Sequence, residues 1–189
     1  MPLHLKPSAQ SGIQGNPIFD PIGTNEYIKT ELVNLGWQKN IPIPRKYKFL
    51  GSDVDFGKLG VIGESQFSNY PFLLNNTIRA ELFFKAKIKF GGQNTKLVFL
   101  ITKAQMFPAS NSTLYYEQAI EQLAALAQYS VFDVPLRVVG LFEKVDTTVP
   151  VKWTLYKGER SRTIISQKDI QCHISSRNNH SRRCRLSLV

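Results

Sequence analysis

Asp55 and Glu64 are the residues whose types and spacing best suit hydrolytic chemistry. They stand nine positions apart, and Gln66 follows two positions after Glu64. Side chains alternate along a strand, so Glu64 and Gln66 share a face and Asp55 can converge on them at a bend in the sheet. Two carboxylates with several waters suit Mg²⁺, which polarises a phosphate and supplies hydroxide. The pattern indicates phosphodiester hydrolysis, with Gln66 orienting a water or a substrate oxygen.

The spacing alone also leaves simpler interpretations open. One Asp and one Glu at this distance occur by chance in many proteins, as ordinary polar residues of a strand. A second candidate site, a structural zinc site, would use Cys172, His173, His180 and Cys184. Adjacent Cys and His are poor zinc geometry, so the sequence favours the carboxylate site.

Composition restricts the class of protein further. The 189 residues hold 24 Lys and Arg against 14 Asp and Glu, a net charge of +10. A basic surface attracts polyanions, and nucleic acid is the first candidate. No apolar run is long enough to span a membrane, and no secretory signal begins the chain. Two cysteines make no disulfide framework, so the expected compartment is a reducing cytoplasm.

The positions of apolar residues predict the elements that hold these side chains. Helices are expected at 25–35 (capped by Thr24), at 72–87, and from a cap at Asn111 or Ser112 to Gln128. Strands are expected at 58–67, 96–102 and 134–142. Alternating strands and helices predict an α/β fold, a mixed β-sheet flanked by helices.

The ends of the chain carry weaker patterns. Residues 1–23 predict a loop or arm. Residues 1–166 are therefore expected to form one domain, and residues 167–189 a basic C-terminal tail of a composition that can be disordered.

Several uncommon runs resemble a known family. They are FDPIGTN at 19–25, NIPIP at 40–44, DFGK at 55–58, QFSNYPFLLNN at 66–76, MFPASNS at 106–112, YYEQ at 115–118, VFDVP at 131–135 and SRTI at 161–164. Collinearly, from about Met1 to Ile164, they resemble the BglII family of type II restriction endonucleases, in the PD-(D/E)XK nuclease superfamily. BstYI-type enzymes are more distantly similar.

The resemblance implies a restriction-endonuclease fold and an active site. Asp55 and Glu64 would bind Mg²⁺, Gln66 would orient the nucleophilic water or the phosphate, and Asn40 would be a further positioning group. Gly63, just before Glu64, is expected to loosen its strand.

The resemblance also implies partners. Double-stranded DNA would be contacted by Ser68, Asn69, Arg79, Asn111, Ser112 and Arg162. Arg160 departs from the family, which has a tyrosine near the DNA at this position; the arginine would add a phosphate contact or alter readout of the outer base pair. A homodimer would match a palindrome, most simply AGATCT, cut within its GATC core to leave 5′ overhangs. A cognate DNA methyltransferase is expected in the same prokaryotic system.

Two other functions remain open from the sequence. One is a catalytically weak DNA-binding remnant of such an enzyme, which would bind specifically without Mg²⁺-dependent cleavage. The other is a general basic nucleic-acid-binding protein, whose affinity would fall steeply with salt and show little sequence preference.

Overall fold

The computed structural model describes residues 1–104, 114–158, 161–176 and 184–189. Asn111, Ser112 and Arg160 lie outside these ranges. The chain divides into two compact units. The central unit comprises, as far as described, residues 28–104 and 114–141, and the terminal unit comprises residues 1–27 and the described residues from 142 to 189.

The elements follow one another as β1 (Leu3–Pro7), β2 (Pro17–Phe19), α1 (Pro21–Asn34), β3 (Gln38–Pro42), a 3₁₀ helix (Arg45–Leu50), β4 (Asp53–Lys58), β5 (Val61–Ser65), α2 (Pro71–Lys85), β6 (Lys89–Phe90), β7 (Gln93–Asn94), β8 (Leu97–Lys103), α3 (Tyr116–Gln128), β9 (Leu136–Leu141), β10 (Thr147–Tyr156), β11 (Ile164–Ser176) and β12 (Cys184–Leu188). Among the residues that the structure describes, no helix is long and apolar enough to cross a membrane.

The central unit contains the expected mixed sheet. Its strand order is β3-β4-β5-β8-β9, antiparallel from β3 to β5 and parallel from β5 to β9. The core combines apolar residues of the sheet with those of α2 and α3, including Ile62, Leu100, Phe83 and Leu123. Helices packed on a mixed sheet confirm the predicted α/β class.

The predicted strand at 58–67 corresponds to β5 and the turn before it, and β5 forms a hairpin with β4. Leu59 and Gly60 adopt positive φ angles of 47° and 81°, which reverse the chain between β4 and β5. Such angles match the right-handed twist of paired strands in a tight turn. The hairpin places Asp55 and Glu64 on neighbouring strands.

Helix α1 begins a turn earlier than predicted. Asp20 Oδ1 accepts the Ile22 N–H at 3.1 Å, and Pro21 occupies the first helical position. Asp is a favoured N-cap, and Pro is well suited to the first turn. Thr24 is therefore inside the helix, and the predicted cap at Thr24 is wrong.

The terminal unit contains a sheet that the sequence did not predict. Its order is β12-β11-β10-β1-β2, with β1 parallel to β10 and the other pairs antiparallel. Residues expected to form an arm thus supply β1 and β2. In the expected tail, residues 167–176 and 184–188 belong to the strands β11 and β12, so these residues have regular structure.

Candidate active site

Asp55 and Glu64 lie where the β4–β5 ladder ends. The last pair of the ladder is Phe56 opposite Gly63, so Asp55 and Glu64 are the next residues on each strand. Asp55 Oδ2 accepts the backbone N–H of Ser65 at 2.9 Å. This bond holds one oxygen of Asp55 against the strand that carries Glu64. The structure therefore brings the two predicted carboxylates together.

Glu64 is a buried carboxylate, only 7% exposed. Burial raises the pKa of its carboxyl to about 8, the Arg79 guanidinium opposes this rise, and the negative charge of Asp55 adds to it. Desolvation disfavours the charged form of an acid, and a neighbouring like charge does the same. A divalent cation bound by Asp55 and Glu64 would offset both the desolvation and the like-charge repulsion, and would therefore favour the ionised form of Glu64.

Arg79 is the ionic partner of Glu64. It extends from α2, and its Nη2 pairs with Glu64 Oε1. Its Nη1 donates to the backbone carbonyls of Leu50 at 3.3 Å and Asp53 at 3.4 Å. A Cβ added to Gly51 would lie 2.8 Å from this nitrogen, so the chain passes close to the guanidinium. Arg79 thus connects Glu64 to the segment that leads into β4.

Gln66 follows β5 and is held at both ends of its amide. Its backbone N–H donates to the Ile101 carbonyl at 2.7 Å, which continues the pairing with β8. Asn76 Nδ2 on α2 donates to Gln66 Oε1 at 2.9 Å. Gln66 Nε2 donates to Ser68 Oγ at 2.6 Å. Gln66 therefore lies on the same strand end as Glu64, in a fixed orientation.

Asn40 occupies the register position opposite Asp55. Lys39 pairs with Phe56 and Ile41 with Val54, which leaves Asn40 facing Asp55 across the β3–β4 ladder. Its φ angle of 49° is left-handed, a conformation that Asn adopts more readily than most residues. The sequence-predicted positioning group is thus adjacent to the carboxylates in the sheet.

The predicted DNA contacts have different surroundings. Ser68 and Asn69 are exposed in the link between β5 and α2. Arg162 is exposed in the link between β10 and β11 of the terminal unit. Asn111, Ser112 and Arg160 fall on residues that the structure does not describe.

Sequence reasoning missed Asn76. An Asn on a helix, taken by itself, is most simply a solvated surface amide. Only the fold, which turns it inward until 8% of it is exposed, makes it a partner of Gln66. A polar residue on the buried face of α2 is the one signal that could have identified it.

The residues present fit a hard divalent cation. Asp55 and Glu64 offer carboxylate oxygens at adjacent strand ends, the ligand type that Mg²⁺ prefers. The described residues contain no cluster of three or more His, Cys, Asp or Glu suited to a metal. The described residues could therefore supply two carboxylate ligands, with water completing the coordination. Mg²⁺ characteristically keeps several waters.

The alternative zinc site gains no support from the described residues. Cys172 lies opposite Leu188, and Cys184 opposite Ser176, so the two cysteines are four register positions apart. Both are buried free thiols, and burial raises the pKa of each. His180 lies outside the described residues.

Comparisons with known proteins identify the family to which the chain is similar. A family model described as restriction endonuclease BglII/BglIII matches residues 2–141. The chain is 52% identical over 192 residues to the type II restriction enzyme BglII of Bacillus subtilis, covering 100% of this chain and 86% of that protein. The similarity therefore continues beyond Ile164, the last residue of the runs on which the sequence resemblance was based.

Two solved structures are similar throughout the chain. The crystal structure of BglII complexed with a DNA 16-mer matches with a TM-score of 0.95 at 50% identity, covering 100% of this chain and 87% of that chain. The crystal structure of free BglII matches with a TM-score of 0.74 at 49% identity, covering 100% and 85%. This chain belongs to the BglII/BglIII family of restriction endonucleases.

Proposed function

We propose that this chain is a Mg²⁺-dependent type II restriction endonuclease that cleaves double-stranded DNA at AGATCT, within the GATC core, and leaves 5′ overhangs. The observation that carries the proposal is the convergence of Asp55 and Glu64 at the open end of the β4–β5 hairpin, with Gln66 on the same strand end. The similarity to an enzyme solved with DNA supports the substrate.

The proposed mechanism assigns a role to each polar side chain. Asp55 and Glu64 would hold Mg²⁺, which when bound supplies charge stabilisation at the scissile phosphate and a reactive hydroxide. Gln66 would donate an N–H to a phosphate oxygen or to the attacking water, because an amide can orient but not deprotonate. Asn40, which lies opposite Asp55 in the sheet, would be a further positioning group of the active site. Arg79 would favour the ionised form of Glu64 by opposing the effect of burial on its pKa.

The proposed recognition uses the polar and basic residues that the sequence analysis assigned to DNA contacts. Ser68 and Asn69, with Asn111 and Ser112, would match donors and acceptors on base edges in the major groove. Arg160 and Arg162 would contact phosphates. A homodimer would present each site twice to a palindrome, and a methyltransferase would protect host DNA.

The test is digestion of a long mixed-sequence DNA by the purified chain, with Mg²⁺ or with EDTA, followed by sequencing of the ends. Discrete Mg²⁺-dependent ends at AGATCT are expected. Ends at another sequence would refute the proposed site. Specific binding of an AGATCT duplex without cleavage would identify a DNA-binding remnant instead.

The mechanism is tested by Asp55→Ala and Glu64→Ala. Each is expected to abolish cleavage and to leave DNA binding in EDTA measurable. Asp169→Ala is the matched control, because Asp169 is an exposed carboxylate that pairs only with Lys152 among the described residues. Retained cleavage in either active-site variant would remove that residue from the metal site.

A further inference from the structure

The terminal unit contains a cavity that none of the proposed catalytic or recognition roles uses. Its volume is about 340 Å³, a size suited to a small molecule or to part of a larger one. Its walls are the end of β1, the link between β1 and β2, and the end of β10. All of these segments belong to the terminal unit, so the cavity lies within one compact body.

The link between β1 and β2 is folded back on itself and forms one wall. The Ser8 N–H donates to the Asn16 carbonyl at 2.8 Å, and the Gly15 N–H donates to the Ser8 carbonyl at 2.8 Å. The Gln10 N–H donates to Ser8 Oγ at 3.1 Å. Gly12 and Gly15 adopt φ angles of 81° and 80°, which glycine reaches without a steric penalty. These bonds shape the wall before any ligand binds.

Lys6 supplies a cation at the cavity. It is half-buried, and its Nζ lies 5.9 Å from the centroid of the Tyr156 ring, a cation–π distance. The Tyr156 hydroxyl donates at 2.7 Å to Oδ2 of Asp20, and this bond holds the ring in place. In the described part of the chain, no acidic residue forms an ion pair with Lys6, and none lines the cavity. The positive charge of Lys6 is therefore available to a ligand.

Further hydrogen-bond donors belong to residues of the same lining. Among the described residues, no acceptor pairs with the backbone N–H of Ala9 or of Gln14, or with the exposed Gln14 side chain. Ile18, Pro7 and the Tyr156 ring add apolar surface to the lining. A ligand that matches both parts must carry an anionic group next to a planar or apolar one.

We propose that this cavity binds the phosphate of a nucleotide, with Lys6 as its cationic ligand and Tyr156 beside the sugar or base. A lysine ammonium binds phosphate as a point charge, and an aromatic side chain accepts any base on its face. Free nucleotides and DNA strands both present this chemistry. The site uses none of the residues assigned to cleavage or base recognition, so the inference goes beyond the proposed function and does not depend on it.

Three variants test the site. Lys6→Gln removes the cation. Ala9→Phe adds bulk at an exposed residue of the lining and leaves every charge unchanged. Lys168→Gln is the matched control, because Lys168 is an exposed cation of the same unit, on β11, and is not part of the lining.

The probes separate the two sources of the nucleotide. Calorimetric titration with 2′-deoxyadenosine 5′-monophosphate and with deoxyadenosine tests a free nucleotide. We expect the monophosphate to bind more tightly than deoxyadenosine, and Lys6→Gln to weaken it about 10- to 100-fold, the loss typical of a charge-assisted hydrogen bond. Anisotropy titration of an AGATCT duplex and a scrambled duplex in EDTA tests DNA. If the phosphate belongs to a strand, Lys6→Gln should weaken both duplexes equally and lower the salt slope by about 0.9.

Whichever source applies, Ala9→Phe should reproduce the loss and Lys168→Gln should bind as wild type does. A loss of the same size in Lys168→Gln would overturn the inference, as would wild-type affinity for all the probes in either Lys6→Gln or Ala9→Phe. Deoxyadenosine binding as tightly as the monophosphate would also overturn it, because the phosphate would then contribute nothing. These measurements need neither Mg²⁺ nor cleavage, so they remain decisive if the proposed function fails.

Discussion

The phenyl ring of Phe99 lies directly over Gly63, the residue that precedes Glu64 on β5. A Cβ added to Gly63 would lie 2.1 Å from Cζ of that ring. The ring also stacks on Phe56, with centroids 6.4 Å apart and planes inclined by 8°, and meets Trp37 edge-on at 5.4 Å. The expected loose point in the strand is therefore filled by an aromatic side chain from β8, as when aromatics cover glycines in designed sheets.

Gly63→Ala is expected to destabilise the protein and to slow cleavage. The added methyl group overlaps the Phe99 ring, and overpacking of this kind typically costs about 1–3 kcal/mol. Because Glu64 is the next residue, a displaced β5 also displaces the carboxylate. Denaturant unfolding and the single-turnover cleavage rate measure the two effects.

Gly158→Ala is the control for this substitution, because no atom lies within 4 Å of a Cβ added there. Adding Phe99→Leu to Gly63→Ala is expected to restore part of the lost stability, since the smaller side chain leaves room for the methyl group. A Gly63→Ala protein as stable and active as wild type would contradict the packing argument.

Tyr156→Phe is expected to lower the free energy of unfolding by about 1–3 kcal/mol, the usual cost of depriving a buried polar group of its partner. The Tyr156 hydroxyl donates at 2.7 Å to Oδ2 of Asp20, which is fully buried and caps α1 with its other oxygen. Chemical denaturation measures the change. Tyr129→Phe is the control, because Tyr129 is 80% exposed. Equal stability of the two variants would show that the Tyr156 hydroxyl contributes nothing.

Helices and strands whose apolar pattern lies within the segment itself were predicted well. The expected helix at 72–87 is α2, Pro71–Lys85, and the expected strand at 96–102 is β8, Leu97–Lys103. The helix buries residues at helical spacing and the strand is a nearly continuous apolar run, so in both cases the signal lies inside the segment. The same locality explains why Asp55 and Glu64 could be identified, since both lie within one hairpin.

The terminal sheet could not be predicted in the same way. β1 pairs with β10, which is distant in the sequence, so that Leu3 lies opposite Val151. β11 is mostly polar and exposed, and only Cys172 and Ile174 are buried along it. Pairing between distant segments leaves no local pattern, and an exposed polar strand resembles a loop. Asn76 was missed for a related reason, because its burial depends on how α2 packs.

The 3₁₀ helix at Arg45–Leu50 is expected to contribute to DNA affinity without affecting specificity. Arg45, Lys46 and Lys48 are exposed, and the described residues provide no acidic partner for them. Phe49 beside them is 78% exposed. Replacing all three cations with Gln should reduce the salt dependence of binding, with a slope change of about 0.9 for each phosphate that is no longer neutralised.

Anisotropy titrations of an AGATCT duplex and a scrambled duplex over a range of salt concentrations test this expectation. Lys87→Gln with Lys89→Gln is the control pair. These residues follow the far end of α2, about 20 Å along the helix from the Ser68 end. An unchanged slope in the triple variant would exclude phosphate contacts there, and a change confined to the AGATCT duplex would indicate base readout instead.

Arg79→Met is expected to destabilise the protein by about 3–5 kcal/mol at pH 9, the typical cost of leaving a buried charge without its partner. The structure engages Arg79 with Glu64 and with two backbone carbonyls, so its loss affects the free protein. Unfolding in EDTA without DNA measures this directly. Arg137→Met, at an exposed position on β9, is the control. A stable Arg79→Met protein that binds DNA weakly would instead favour a direct DNA contact.

Glu64 is expected to make the metal-free protein less stable as pH rises. Burial raises the pKa of its carboxyl from 4.5 to about 8. Between these values the folded protein binds a proton that the unfolded chain does not, so the stabilising contribution is complete below pH 4.5 and is lost as pH rises through 8. The slope is at most about 1.4 kcal/mol per pH unit. Unfolding of wild type and Glu64→Gln in EDTA from about pH 5 to 9 should show a difference that changes with pH in this direction.

Glu121→Gln, at an exposed position on α3, should show no such change relative to wild type. Adding Mg²⁺ should stabilise wild type increasingly as pH rises, because a carboxylate must lose its proton to bind a metal. Glu64→Gln should lose most of this Mg²⁺ effect. A pH-independent difference between wild type and Glu64→Gln would mean that Glu64 is ionised throughout the range, and that Arg79 outweighs burial in setting its charge.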